Sequence, residues 1–122
     1  MVKFDSSMWG NITKSGANDP YAKSKVLSEQ KAWEFSKENN IELATILPGI
    51  VLGPSVLKEK NFSCDLVANF MTGKIPSIPK ISNAMVDVRD VAEAHLNAIK
   101  VPEAAGRRYL LTHETHFYVE IG

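Results

Sequence analysis

Hydrophobic and polar positions change their period several times along the chain, and each change marks an element. Residues 1–18 are polar, with Ser, Asn and Gly scattered around Trp9 and Ile12, and read as a loop. Asp19-Pro20 predicts a helix start, with Asp as N-cap and Pro at the first helical position. From Tyr21 to about Glu38 the residues Tyr21, Ala22, Val26, Leu27, Ala32, Trp33 and Phe35 form an uneven helical stripe, ended by Asn39-Asn40. Ile41 to Leu47 is a short, mostly apolar run, the pattern of a strand buried on both faces of a parallel sheet. Pro48-Gly49 stops that strand and Gly53-Pro54 marks a second turn. Phe62 to Met71 reads as a helix closed by Thr72-Gly73, and Lys74 to Asn83, with Pro76 and Pro79, as irregular. Ala84 to Val88 reads as a strand, and Asp90 to Lys100 as an amphipathic helix with Val91, Ala94, His95, Ala98 and Ile99 inward. After Pro102 and Gly106 comes a strand, Arg108 to Thr112, with a last helix starting at Phe117 as an option. This alternation of helix and strand predicts an α/β fold with a partly parallel sheet.

Composition narrows the function classes. With 122 residues, 44% hydrophobic and 23% charged, the chain is of ordinary globular type. Fourteen basic residues balance fourteen acidic ones, which gives no electrostatic case for nucleic acid or an anionic membrane. The single cysteine, Cys64, excludes an internal disulfide and fits a reducing compartment. His113 and His116 lack a third ligand nearby and predict no zinc site. His95 reads as a packed histidine, Cys64 as a small apolar residue, and Trp9 and Trp33 as packing residues. No signal peptide or apolar run of membrane-spanning length is visible, so a cytoplasmic protein is the expectation.

The candidate chemistry sits near the start of the first helix. Tyr21 and Lys25 are four residues apart, so the hydroxyl and the amine share a helix face. An ammonium held beside a phenol favours the phenolate, and such a pair can pass a proton to or from a carbonyl or alcohol oxygen while a hydride moves elsewhere. The same spacing also suits a half-buried Tyr next to a solvated Lys, and spacing alone leaves both readings open.

Several segments taken in order resemble one family. Tyr21-x-x-x-Lys25, then Pro48-Gly49-Ile50-Val51-Leu52-Gly53-Pro54, then Val86-Asp87-Val88-Arg89-Asp90-Val91-Ala92 resemble the extended short-chain dehydrogenase/reductase family. Glu29 with Ala32-Trp33-Glu34-Phe35, Thr72-Gly73-Lys74 with Pro76, and Ala104-Ala105-Gly106-Arg107-Arg108-Tyr109 resemble its dihydroflavonol-reductase-like branch. The resemblance covers the chain from about Trp9 onward. It implies part of an NAD(P)-binding Rossmann-like fold and reduction of a small ketone or aldehyde by hydride transfer. Tyr21 would be the general acid, and Lys25 would support it and bind the nicotinamide ribose. Pro48, Gly49 and Val51 would line the nicotinamide at a strand end. Ser63 would either lie near cofactor phosphate at a helix N-terminus or cap that helix. Asp87, Arg89 and Asp90 are expected to anchor the next helix. The implied cofactor is NADP or NAD, with NADP favoured.

The chain also departs from the family pattern. Its glycines, Gly10, Gly16, Gly49, Gly53, Gly73, Gly106 and Gly122, form no dinucleotide fingerprint. Ser6 and Ser7 lie upstream of Tyr21, where some members place a substrate-binding Ser. Asp5-Ser6-Ser7-Met8-Trp9 resembles more closely the acidic-to-Trp loop that follows that serine. The expectation is a single incomplete domain over 1–122 without the N-terminal dinucleotide-binding half, marginally stable and inactive in isolation. Alternatives are a nucleotide-sugar epimerase or dehydratase or steroid-type dehydrogenase of the same family, or a non-enzymatic remnant. Oligomeric state stays open.

Overall fold

The computed structural model describes residues 5–10, 19–55, 62–75, 82–113 and 115–117. Two compact units are present: Met1–Ile46 with Ala98–Leu110, and Leu47–Asn97 with Leu111–Gly122.

The first unit is built on helix α1, Pro20–Asn39. The Asp19 carboxylate accepts from the Tyr21 and Ala22 amides at 3.0 and 3.1 Å, satisfying two of the donors that a helix start leaves open. Asn40 ends the helix in the left-handed region at φ 53, a conformation that Asn tolerates better than most residues. Ile41 N donates to Ser36 O and Ser36 Oγ donates to Ile41 O. Both backbone groups of Ile41 therefore serve the helix end, so the strand expected from Ile41 begins later, as β1 over Thr45–Pro48. It pairs with β4, Arg108–Leu111, and its first three residues are half-buried, not buried on both faces.

The inward face of α1 also differs from the stripe expected of it. Val26, Glu29, Trp33 and Ser36 are half-buried, whereas Tyr21, Ala22, Leu27, Ala32 and Phe35 are exposed. Steps of three and four residues put the first set on one helix face. A 3-10 turn, Pro102–Ala104, precedes β4 and carries the buried Ala104.

In the second unit, β2 (Ile50–Leu52) pairs in parallel with β3 (Ser82–Asp87), in the register Ile50↔Met85, Val51↔Val86, Leu52↔Asp87. Parallel neighbours need a crossover, and α2, Phe62–Met71, lies within it and contacts β2. Phe70 of α2 and Val86 of β3 are the buried hydrophobic residues described here. Backbone bonds from Thr72, Gly73 and Lys74 to Ala68, Phe70 and Asn69 close α2. β3 starts at Ser82, two residues before the expected start, and its other edge takes up β5, Thr115–Phe117, antiparallel. Phe117 therefore belongs to a strand, because the β3 edge offers backbone partners that a new helix would leave unpaired.

Helix α3 runs over Val88–Lys100, two residues earlier than expected. Its half-buried stripe is Val88, Val91, Ala94 and Ala98; His95 and Ile99, expected inward, are exposed. They lie one residue round the helix from the stripe, and His95 Nδ1 is instead 2.7 Å from Val91 O. His113, exposed, donates its amide to Met85 O. No helix among the described residues is long and apolar enough to cross a membrane.

Candidate active site

Tyr21 and Lys25 occupy the first two turns of α1, just inside the Asp19 cap. Lys25 Nζ lies 5.5 Å from the Tyr21 ring centroid, so the pair shares one face and one small volume. Tyr21 is 70% exposed, and Lys25 is exposed as well. The half-buried tyrosine of the alternative reading is not what the fold presents. Ser24 Oγ donates to Tyr21 O at 2.7 Å within the same turn.

Pro48, Gly49, Val51 and Ser63 belong to the second unit, whereas Tyr21 and Lys25 belong to the first. Pro48 is the exposed last residue of β1, and Gly49 is the bend between β1 and β2. A Cβ on Gly49 would run into the Ala84 carbonyl of β3, and the Gly49 amide donates to Leu111 O at 3.1 Å. Close backbone approach is thus one reason for glycine at this position. Val51 is half-buried opposite Val86. Ser63 is half-buried at the second position of α2. Asp87 anchors α3 as expected: its carboxylate accepts from Arg89 N, Nε and Nη2 at 2.8, 2.8 and 2.6 Å. These hydrogen bonds from the Arg89 side chain and amide hold Asp87 at about 2.

Ser6 and Ser7 lie in a tight turn in which Asp5 accepts from Ser7 N and Oγ. The turn leads to a cluster that sequence reasoning missed. Arg108 of β4 meets Glu29 of α1 through Nε–Oε1 at 2.8 Å and Nη2–Oε2 at 2.9 Å, and both side chains are largely buried. Its Nη1 donates to Ser6 O at 2.6 Å and Met8 O at 2.9 Å, and its guanidinium lies 3.8 Å from the Trp9 ring centroid. Glu29 Oε1 also accepts from Thr45 Oγ1 and Trp33 Nε1. The Arg108 hydrogen bonds hold the Glu29 carboxyl below the usual carboxylate range, against the cost of burial, with Thr45 and Trp33 adding to the effect. Trp9 is therefore a stacking partner of Arg108. The missed signal was phase: Glu29 falls three residues after Val26 and four before Trp33, on the inward stripe. A carboxylate there needs a buried cation.

Residues 7–111 match the model of the NAD dependent epimerase/dehydratase family. The chain belongs to this family. A cinnamoyl-CoA reductase of Arabidopsis thaliana is 35% identical over 118 residues, covering 96% of this chain and 34% of the relative. Among solved structures, yeast methylglyoxal/isovaleraldehyde reductase complexed with NADPH superposes with a TM-score of 0.79 at 32% identity, covering 90% of this chain and 36% of that one. Vestitone reductase from alfalfa gives 0.80 at 27% identity, over 95% and 38%. The chain spans about a third of the length of the curated relatives it matches. These family members include the reductases that the sequence motifs resembled, and their fold is the Rossmann-like α/β arrangement expected of it.

Proposed function

We propose that this chain carries the proton-transfer residues of an NAD(P)-dependent reductase of small ketones or aldehydes, with NADPH as the favoured cofactor. The observation that carries the reading is the exposed Tyr21 hydroxyl-bearing ring with the Lys25 ammonium over it at a capped helix start. The relatives support it, being reductases, one of them complexed with NADPH.

In this reading the Tyr21 hydroxyl donates its proton to the substrate carbonyl oxygen as that oxygen gains negative charge. The Lys25 ammonium stabilises the charge left on the phenolic oxygen and is placed to hydrogen-bond a ribose hydroxyl. The cofactor, when bound, supplies the hydride. Pro48, Gly49 and Val51 are assigned to the nicotinamide side because Pro48 ends β1 and the other two follow it, and open α/β sheets bind ligands at the carboxyl ends of their strands. Ser63, in the first turn of α2, is assigned to a cofactor phosphate, which the N-terminal amides of that ten-residue helix favour. Their fit is local: Pro48 is exposed at the strand end, and Ser63 and Val51 are half-buried.

NADPH titration followed by carbonyl reduction, in a protein that joins this segment to a dinucleotide-binding half, tests the proposal. Binding in the micromolar to millimolar range, with turnover abolished by Tyr21→Phe while binding persists, is the expected result. Turnover undiminished in Tyr21→Phe overturns the role of Tyr21.

A further inference from the structure

Arg108 commits four of the five N–H donors of a guanidinium to two different segments: two to the Glu29 carboxylate on α1, and two to the Ser6 and Met8 carbonyls of segment 5–10. Its flat face is stacked on Trp9. The same segment reaches α1 at a second point, where a Cβ on Gly10 would lie 3.1 Å from the Val26 side chain. Val26 directly follows Lys25, so segment 5–10 runs beside the helix turn that carries the Tyr21/Lys25 pair.

Apolar packing does little to set the rotation of α1 about its own axis. No residue of the helix is fully buried, and its inward apolar residues, Val26 and Trp33, are half-buried. Hydrophobic contact is non-directional, whereas hydrogen bonds weaken steeply once bent. A roll of about 20° sweeps a side-chain tip at about 5 Å from the axis through about 2 Å, enough to break both Glu29–Arg108 bonds. The same roll would carry the Tyr21 hydroxyl at least as far, and a misplacement of about 1 Å can cost about 100-fold in rate.

We propose that Arg108 is a positioning residue for the Tyr21/Lys25 pair, joining Glu29 to the Ser6 and Met8 carbonyls so that the roll of α1 and the place of segment 5–10 are set together. Its consequence for turnover rests on the reductase reading above; the coupling itself does not. The structural arm uses Trp9 as reporter in a Trp33→Phe background, with 3-fluorotyrosine at position 21 as a second probe. Arg108→Met should raise acrylamide quenching of Trp9 about 2-fold or more and shift or broaden the Tyr21 fluorine resonance. Arg108→Lys should restore neither, because a point charge cannot bridge a carboxylate and two carbonyls. Glu29→Gln should move Trp9 quenching in the same direction although the ring stacks on Arg108 and not on Glu29. If Arg108→Met does not fold, the Glu29→Met/Arg108→Met pair removes both charges together and should release Trp9 likewise. In NADPH-dependent carbonyl reduction by a protein that joins this segment to a dinucleotide-binding half, Arg108→Met should lower kcat about 10- to 100-fold with KM for NADPH within about 2-fold. Unchanged Trp9 quenching and an unchanged Tyr21 resonance overturn the proposal whatever the activity. Released Trp9 with full kcat reduces Arg108 to a structural anchor. Turnover retained in Tyr21→Phe would remove the reductase reading while leaving the coupling to stand or fall on the two probes.

Discussion

Arg108 and Glu29, 79 residues apart in sequence, meet through two parallel hydrogen bonds of 2.8 and 2.9 Å. This fork-on-fork geometry is among the stronger polar contacts a protein makes, and here it joins a strand to the helix that carries the candidate catalytic pair. Its loss has asymmetric consequences. Glu29→Ala leaves a largely buried guanidinium without its carboxylate and should cost about 3 kcal/mol. The double change to Met at both positions should cost clearly less, because no charge is stranded. Urea denaturation of the two variants checks the difference, and equal losses would contradict the assignment.

Acid should weaken this contact in a defined direction. Glu29 has a folded-state pKa below its unfolded value, so its contribution is complete above the unfolded value and is lost as pH falls through the folded one. Asp87, held at about 2, follows the same sign, and its Arg89 bonds persist until pH approaches that value. Stability measured from pH 6 down to pH 2 should therefore fall on the acid side. Glu29→Gln should flatten the upper part of that fall, and a profile unaltered by this substitution would remove Glu29 from the cause.

Gly49 is constrained by backbone packing before any ligand is considered. Gly49→Ala places a methyl against the Ala84 carbonyl, and overpacking of this kind costs about 1–3 kcal/mol. Thermal denaturation without cofactor should show the loss. A normal melting temperature with impaired NADPH binding would instead assign the glycine to the ligand alone.

Tyr21→Phe should separate chemistry from folding. The ring is 70% exposed, so removing its hydroxyl should leave the melting temperature within about 2 °C while abolishing carbonyl reduction in a protein that joins this segment to a dinucleotide-binding half. A large drop in stability would reveal a structural part for the hydroxyl.

The helix cap offers a further local test. Asp19→Ala removes the acceptor for two amides and should destabilise by about 1 kcal/mol. Asp19→Ser should recover most of this loss in the same denaturation experiment.

Local signals were legible in the sequence wherever a residue acts on its own neighbours. Asp19-Pro20 marked the start of α1, Asn39-Asn40 its end, and Phe62 to Met71 the bounds of α2. The Tyr21/Lys25 proximity follows from helix spacing, and the family follows from motif order. What was not legible depends on distant partners. Ile41 reads as strand from its apolar neighbours because nothing local shows that its amide and carbonyl close the preceding helix. Phe117 joined a strand because β3 had a free edge to offer it. Hydrophobicity alone places Leu27, Ala32 and Phe35 in the α1 stripe, whereas Glu29, polar but in phase with Val26 and Trp33, holds the inward position through Arg108.

The Arg108 contacts to Ser6 and Met8 span 102 and 100 residues. On a ribosome, helix α1 can form from its own cap and stripe soon after it emerges, but the guanidinium that orients it is made roughly seventy residues after the helix ends. Loop closures this long are slow compared with helix growth. The helix of the Tyr21/Lys25 pair should therefore exist early as secondary structure and gain its final orientation only late, so that nascent chains halted before residue 108 would carry Tyr21 on a helix whose facing is not yet fixed.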